Sequence, residues 1–349
     1  MDIQQTPDRH RTVVVSQRFF DADAIALLEA HGCRVKLADL PPGQADGALS
    51  EAALHALLAD ADAWIVGHAS VSRTLLAGLP RLRVVARRGV GYERVDMDAL
   101  RDLGKVGTVA VGGNDACVAD HTLGMMLALG HRLRESQRQM EGGDWAILPG
   151  RDLYRKTVGI VGLGRIGRGV VQRLLGFEAT ILVATPRRAC GPLNPAGGAN
   201  RLSYVGLETL LEQSDYVSLH APLTTETRRM IDANALARMK PGAFLVNTSR
   251  GGLVDDAALL QALESGHLGG AGLDVFESET DPALLGVTKK LLGLPNVVAT
   301  PHAGASTREG LERTNMLAAR CVVGVLDGTA LPPDCLIADG RTAKREHAC

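Results

Sequence analysis

The chain has 349 residues, 46% of them hydrophobic and 22% charged, with a formal net charge of −1 at pH 7. That length exceeds one compact core and predicts two domains, while a near-neutral balance gives no basis for a nucleic-acid or anionic-membrane partner. No uncharged apolar run reaches the roughly 20 residues of a membrane span, and six cysteines without CxxC spacing argue against structural zinc, any other metal site or a disulfide framework, leaving reduced thiols and a cytoplasmic setting.

The first ten residues contain no apolar h-region, so no signal peptide is expected. Thr12-Val-Val-Val reads as a strand, and Asp21 to Ala30 as a helix with Asp21 as N-cap and Gly32 as its stop. Ala63-Trp-Ile-Val and Arg83-Val-Val-Ala are further strands, each preceded by a helical stretch. Continuously apolar strands alternating with helices predict parallel sheets covered on both faces. One long helical pattern runs from about Cys117 to Gln139, followed by a Gly/Pro-rich break over 142–150. Alternation restarts at Thr157-Val-Gly-Ile-Val and continues to Asn296-Val-Val-Ala-Thr. A last helix is expected over about Ser306 to Leu326, and the polar tail after Pro333 is expected to be loose.

Gly162-Leu-Gly-Arg-Ile-Gly167 stands between an apolar strand and a helical pattern, the context that turns a weak glycine motif into a dinucleotide fingerprint. Gly162 permits the tight turn, Gly164 lets a pyrophosphate approach the backbone, and Gly167 lets the helix close on the strand. The helix N-terminus then offers N–H groups and a positive dipole end to phosphate. In an NAD enzyme the next strand ends in an acid that binds the adenosine ribose. Thr180 to Ala184 is that strand here, and it ends in Thr185, followed by Pro186, Arg187 and Arg188. A hydroxyl and two guanidinium groups suit a 2′-phosphate, which favours NADP(H) over NAD(H). The alternative is a solvated basic turn.

Three further segments carry ionisable groups at strand exits: Asn247-Thr-Ser-Arg250-Gly-Gly, Asp274-Val-Phe-Glu-Ser-Glu279 and Thr300-Pro-His302-Ala-Gly. Taken singly, the arginine reads as a surface ion pair, the glutamate as solvated and the histidine as a turn residue. Taken together beyond a phosphate loop, they read as a site. Arginine grips a carboxylate with two parallel hydrogen bonds. An imidazole can hand a proton to a carbonyl oxygen as hydride arrives, worth about 10²–10⁴-fold, and a neighbouring carboxylate favours its charged form.

With these segments, and with Gly89-Val-Gly-Tyr, Val118-Ala-Asp-His and His220-Ala-Pro-Leu-Thr, the sequence resembles the D-isomer-specific 2-hydroxyacid dehydrogenase family along nearly its whole length. The resemblance implies an α/β protein of two Rossmann-like domains with parallel sheets and an interdomain active-site cleft. It places a flavodoxin-like substrate domain at 1–113 plus 305–349 and an NAD(P)-binding Rossmann domain at 114–304. It assigns Arg250 to substrate binding, His302 to acid/base work and Glu279 as its partner. Gly89, Val90 and Gly91 would supply the other half of the carboxylate site through backbone N–H groups, although that segment also reads as a simple strand-exit turn. The dinucleotide would be held by Gly162, Gly164, Arg165, Ile166, Gly167, Thr185, Arg187, Arg188, His220, Pro222, Thr248, Asp274, His302 and Gly304. Asp274 would accept from the nicotinamide carboxamide, or stand as a buried, backbone-bonded strand-end acid, or both. Asn114 and His121 fall near the hinge and cofactor in this family, and His121 also suits plain packing.

The sequence departs from the family pattern at three positions: Thr280 stands where proline is usual, loosening the following loop; Asp120 replaces a glutamate; Thr185 replaces the ribose-binding acid. The long helix and the arm from Glu141 to Arg151 are expected to form a homodimer, with Trp145 packing it or reaching the partner's site. The implied reaction is reversible reduction of a small 2-oxo acid, glyoxylate- or hydroxypyruvate-like, to the D-2-hydroxy acid. Alternatives are a phosphoglycerate-type dehydrogenase and a dinucleotide-sensing scaffold resembling the C-terminal-binding-protein co-repressors. Formate and phosphite oxidation are disfavoured, because Glu279 is present and Val90 stands where phosphite enzymes place a lysine.

Overall fold

A computed structural model describes residues 10–41, 44–186 and 201–341. The chain divides into two compact units, 1–114 with 307–349, and 115–306.

In the first unit the strands are β1 (Arg11–Val15), β2 (Cys33–Leu37), β3 (Ala63–Val66), β4 (Val84–Arg87) and β5 (Val106–Val109), and the helices are α1 (Ala22–Ala30), α2 (Glu51–Leu58), α3 (Arg73–Ala77) and α4 (Met97–Asp102). Each of these helices starts on a side-chain cap: Asp21, Ser50, Ser72 and Asp96 all accept a backbone N–H three residues on. The unit is closed by the later helix and strand Arg308–Asp327 and Leu336–Asp339. Its five parallel strands run in the order β2-β1-β3-β4-β5, the doubly wound flavodoxin-like order. Val13 to Val15, Ala63 to Val66 and Val84 to Ala86 are all buried, as strands covered on both faces must be. Below them, buried Lys105 caps two carbonyls, donating to Leu79 at 2.7 Å and Leu82 at 2.8 Å.

The second unit contains α5 (Asp115–Gly130), α6 (Leu133–Glu141), β6 (Thr157–Val161), α7 (Arg165–Leu174), β7 (Thr180–Ala184), β8 (Leu202–Tyr204), α8 (Leu207–Gln213), β9 (Tyr216–Leu219), α9 (Ala233–Arg238), β10 (Phe244–Asn247), α10 (Asp256–Glu264), β11 (Gly270–Leu273), α11 (Leu285–Gly293) and β12 (Val297–Ala299). Its seven strands are all parallel, in the order β12-β11-β10-β9-β6-β7-β8. Apolar side chains fill both faces of this sheet, one cluster centred on Leu219, Leu245 and Leu273 and the other on Ile160, Val183 and Val246.

Two sequence expectations are corrected. The single helix expected from Cys117 to Gln139 is two, α5 and α6, broken at His131 and Arg132. Arg132 takes a left-handed backbone (φ 53°) and pairs with Glu135. Just before the break, Gly130 is pressed against the Arg151 carbonyl and the Tyr216 hydroxyl, where any Cβ would stand 2.6 Å from either. The tail after Pro333, expected to be loose, forms β13 (Leu336–Asp339) in its described part, antiparallel to β5, while residues 342–349 lie outside the described residues. The preceding long helix, α12 (Arg308–Asp327), is capped by Thr307 and stops at left-handed Gly328.

Among the described residues no helix is long and apolar enough to cross a membrane.

Candidate active site

In the second unit the strand order reverses between β6 and β9. Open parallel sheets bind ligands at the carboxyl ends of their strands beside such a reversal. Six of those ends, those of β6, β7, β9, β10, β11 and β12, carry residues singled out from the sequence.

The exit of β6 is the glycine loop. Gly162 has φ 94°, and a Cβ there would stand 2.6 Å from the His220 carbonyl oxygen, so only glycine fits this turn. Gly164 is the N-cap of α7 and supplies no side-chain cap. A Cβ added to it would meet nothing within 4 Å, so the backbone at the helix N-terminus can be approached closely. The start of a ten-residue helix whose N-cap residue brings no side chain fits a pyrophosphate. Arg165 and Ile166 form the first turn of that helix, and Gly167 abuts the Gly162 carbonyl. Across from the loop, His220 and Pro222 follow β9. Burial pushes the His220 imidazole down to about 4, and it shares a 2.9 Å hydrogen bond with Ser218 Oγ. At neutral pH it therefore contributes shape and hydrogen bonding rather than charge.

The exit of β10 is folded on itself. Asn247 Nδ2 donates to the Arg250 carbonyl at 2.9 Å, and the Ser249 N–H donates back to Asn247 Oδ1 at 3.1 Å. Ser249 Oγ ties this turn to the Ala221 carbonyl at 2.6 Å, and Thr248 Oγ1 is 2.9 Å from Thr122 Oγ1 on α5. Arg250 thus leaves the sheet from a fixed base, its Nη1 donating to the Ser249 carbonyl at 2.7 Å.

The exits of β11 and β12 bring a carboxylate and an imidazole together. His302 Nδ1 lies 2.7 Å from Glu279 Oε2. Glu279 Oε1 accepts from the Phe276 N–H at 2.8 Å, which closes the short turn Glu277–Glu279 and holds the carboxylate. The ring orientation of His302 is thereby fixed through Nδ1. Both side chains are more than a third exposed, so solvent reaches the pair. Adjacent strands are about 4.8 Å apart, so Arg250 leaves a strand end about 10 Å from the one that carries His302.

Asp274 is buried. Its Oδ1 accepts from Thr300 Oγ1 at 2.5 Å and from the Ala303 N–H at 2.7 Å, and its Oδ2 accepts from the Gly304 N–H at 2.9 Å. Burial opposes its ionisation, but the hydrogen bonds from His121, Thr300, Gly304 and Ala303 outweigh it and hold the carboxyl below its ordinary range. The Asp274 carbonyl also accepts from the His302 N–H at 2.8 Å. One acid therefore holds the whole turn of residues 300–304, including His302 in its left-handed conformation (φ 53°). Of the two readings of Asp274 offered by the sequence, the backbone-bonded acid is present.

Sequence reasoning misses Thr300 and leaves His121 open between packing and cofactor. His121 Nε2 is 2.9 Å from Thr300 Oγ1 and 3.6 Å from Asp274 Oδ1, so both belong to the Asp274 network. No local motif reveals them, since their partners are far away in sequence. Thr280, in place of proline, ties its hydroxyl to the Glu277 carbonyl at 3.2 Å, and Asp120 pairs with Arg173 at 2.5 Å.

Thr185 directly follows β7 and is half-buried, whereas Arg187 and Arg188 lie outside the described residues. Gly89, Val90 and Gly91 follow β4 in the first unit, none with a left-handed backbone, and a Cβ at Gly89 would meet nothing within 4 Å. A cavity of about 670 Å³ in the second unit lies at the opposite, amino-terminal ends of the strands, lined among others by Arg132, Arg151, Phe244 and Asn296. None of the groups above reaches it, and chemistry rather than volume identifies the site.

The model of the family "D-isomer specific 2-hydroxyacid dehydrogenase, NAD binding domain" matches residues 123–304. D-3-phosphoglycerate dehydrogenase of Mycobacterium leprae is 38% identical over 301 residues, covering 84% of this chain and 54% of that one. This chain thus spans about half the length of such relatives. Hydroxypyruvate reductase of Thermotoga maritima is 36% identical, covering 74% of this chain and 83% of its own. Among solved structures, the TT0316 protein of Thermus thermophilus superposes with a TM-score of 0.80 at 34% identity, covering 93% of this chain and 100% of that one. A glycine loop, a carboxylate-held histidine and an arginine at successive strand exits, on a chain with these likenesses, place it in the D-isomer-specific 2-hydroxyacid dehydrogenase family, to which it belongs.

Proposed function

We propose that this protein transfers a hydride between NAD(P)H and a small 2-oxo acid of the glyoxylate or hydroxypyruvate kind, giving the D-2-hydroxy acid. The observation that carries this reading is the 2.7 Å contact between His302 Nδ1 and Glu279 Oε2, two strands from Arg250. The nicotinamide would supply or accept the hydride. Gly162, Gly164 and the first turn of α7 would hold the pyrophosphate. Arg250 binds the substrate carboxylate with its guanidinium fork and fixes the carbonyl's orientation. As negative charge builds on the carbonyl oxygen, His302 gives it the Nε2 proton; in the oxidative direction the neutral ring takes the hydroxyl proton. Glu279 holds the ring through Nδ1 in both directions. Gly89 to Gly91 complete carboxylate binding through the backbone.

The small side chain is supported by the arginines beside Gly89. Arg88 Nη1 donates to the Arg18 carbonyl at 2.7 Å and to Asn315 Oδ1 at 3.3 Å, and burial pushes its guanidinium down to about 10. Arg87 Nε donates to the Gly91 carbonyl. Both are engaged within the first unit, which disfavours a phosphorylated substrate. The preference for NADP(H) rests on Thr185 at the β7 exit, where an acid would favour NAD(H). A homodimer is supported by α6, none of whose residues is buried, and by exposed Leu133, Met140, Trp145 and Ile147 on it and the following arm. A cytoplasmic location suits the reduced thiols of Cys33, Cys117, Cys321 and Cys335.

A panel of 2-oxo acids assayed with NADH and NADPH tests the reading. Turnover of glyoxylate or hydroxypyruvate, with the lower KM for NADPH, is expected. Dinucleotide binding without turnover of any 2-oxo acid would replace it with a sensing scaffold, and a preference for 3-phosphohydroxypyruvate would overturn the substrate assignment.

A further inference from the structure

Two glutamates two residues apart meet opposite fates in the turn after β11. Glu279 is exposed and faces His302, whereas Glu277 is buried. Glu277 Oε1 accepts from Arg229 Nε at 2.9 Å, and its Oε2 accepts from the Asp256 N–H at 3.1 Å and from Arg229 Nη2 at 3.4 Å. In return the Glu277 N–H donates to Asp256 Oδ2 at 3.0 Å. Asp256, the first residue of α10, is as buried as its partner. The two acids therefore cross-link the start of α10 to the turn after β11 by reciprocal side-chain-to-backbone bonds, closed by one guanidinium.

The Arg250 turn is packed into the same knot. Gly251 lies so close to the Phe276–Glu277 peptide that a Cβ would overlap the Phe276 carbonyl and stand 2.5 Å from the Glu277 nitrogen. The Arg229 N–H donates to the Gly252 carbonyl at 2.7 Å, from a backbone held left-handed at φ 48°. On the other side, the Glu277 carbonyl accepts from the N–H groups of Thr280 (3.1 Å) and Asp281 (3.0 Å), which frame Glu279.

We propose that Glu277, Asp256 and Arg229 are positioning residues, a clamp of two buried carboxylates and one exposed guanidinium that holds the turn carrying Arg250 in register with the turn carrying Glu279. The inference rests on the roles given above to Arg250 and Glu279, and none of the three clamp residues needs to touch substrate. Two adjacent buried carboxylates, of which only Glu277 bonds the Arg229 guanidinium, are a costly way to hold a loop. Retaining them makes sense where the relative placement of two functional groups matters more than stability. The charged groups that face Asp256 are Glu277, Asp255 and Arg229. Burial, with the charges of Glu277 and Asp255, pushes its carboxyl up to about 7 against the pull of the Glu277 N–H and Arg229. Around neutrality the clamp therefore holds its second negative charge only in part.

The test uses the full-length protein and compares Glu277→Ala with Glu277→Gln, which keeps one oxygen acceptor for the Asp256 N–H and Arg229 Nη2 but loses the acceptor for Arg229 Nε. A displacement near 1 Å at a catalytic group costs about 10²-fold, so Glu277→Ala should raise KM for the 2-oxo acid and lower kcat together, with kcat/KM falling about 10²-fold. The NADPH dissociation constant, read by fluorescence, should stay within about twofold of wild type, because the phosphate loop is elsewhere on the sheet. Glu277→Gln should recover all but about five- to tenfold. Hydrogen–deuterium exchange on Glu277→Ala should rise in residues 250–256 and 275–281 together. Glu277→Ala with wild-type kcat and KM, or exchange that rises in only one of the two segments, would overturn the clamp. A wild type inert to every 2-oxo acid would sink the functional reading alone, and exchange would still decide the clamp.

Discussion

The two units are built alike and used differently. Both are sheets of parallel strands wrapped by helices, the first with one antiparallel edge strand, and in both the functional groups are expected at the carboxyl ends of the parallel strands. In the first unit those ends are stitched by buried polar groups with no chemistry of their own. Asp46, fully buried, accepts from Ser16 Oγ (2.9 Å), the Gly67 N–H (2.8 Å) and the His68 N–H (2.7 Å), and Trp64 Nε1 donates to Ser16 Oγ at 2.8 Å. In the second unit the ends carry Arg250, Glu279 and His302, each presented by a turn whose own bonds point inward. The buried acids Asp46, Asp274 and Glu277 hold loops, whereas the pair to which the proposed chemistry is assigned, Glu279–His302, is exposed. The lesson is that burial, more than residue type, tells a structural carboxylate from a working one.

That contrast breaks most visibly at His302. Replacing it with glutamine removes the proton donor but spares the turn, which is held by the Asp274 carboxylate through the backbone of residues 303 and 304. A fall in kcat of about 10²–10⁴-fold with KM and Tm little changed is expected; near-normal turnover would take the histidine out of the mechanism. Arg250→Lys comes next. Charge is kept while the fork is lost, so kcat/KM for 2-oxo acids should drop about 10–100-fold, the worth of one charge-assisted hydrogen bond. An unchanged ratio would count against carboxylate binding at this position.

The first unit gives the opposite signature. Asp46→Ala strands two backbone N–H groups and the Ser16 hydroxyl away from water, and each unsatisfied buried group costs about 1–3 kcal/mol. Relaxation and entering water recover part of this. A net loss of about 2 kcal/mol is therefore expected, read as a lower Tm in thermal unfolding, with kcat per folded molecule unaltered. Should kcat fall instead at constant Tm, the scaffold role of Asp46 would be wrong.

Much of this was legible in the sequence because the signals were local. Ala63 to Val66 is a strand with the bounds its apolar run predicts, and Asp21 caps α1 by accepting from the Ala24 N–H at 2.9 Å. Gly162, Arg250, Glu279 and His302 sit inside short motifs whose spacing carries their meaning. What escaped was set by distant partners. The break at Arg132 follows a glycine packed against residues 151 and 216, contacts that no helical periodicity encodes. The strand Leu336–Asp339 is short, with Leu336 exposed, and only the open edge of β5 makes it a strand. Asp256 beside Asp255 reads as an ordinary helix start, and its real partner lies 21 residues on. Thr300 and His121 acquire significance only through Asp274.

The smallest expected effect concerns the buried acids themselves and separates Asp256 from Asp274. Asp274 is held below its ordinary range and stays ionised, whereas the Asp256 carboxyl is pushed up to about 7. A carboxyl with a raised folded-state pKa is protonated in the native protein while its unfolded counterpart is already ionised. Stability from this source is complete below about pH 4 and is lost as pH climbs toward 7, after which it levels off. The slope is about 1.4 kcal/mol per pH unit while that difference lasts, so between pH 6 and pH 8 Asp256 alone should cost the wild type about 1.4 kcal/mol. Asp256→Asn keeps an oxygen acceptor for the Glu277 N–H and cannot ionise. Urea unfolding at pH 6 and pH 8 should therefore show the variant gaining on the wild type by about that amount at the higher pH. If the two proteins lose stability in parallel, Asp256 is already ionised at pH 6, and its burial is compensated by Arg229 more fully than the geometry implies.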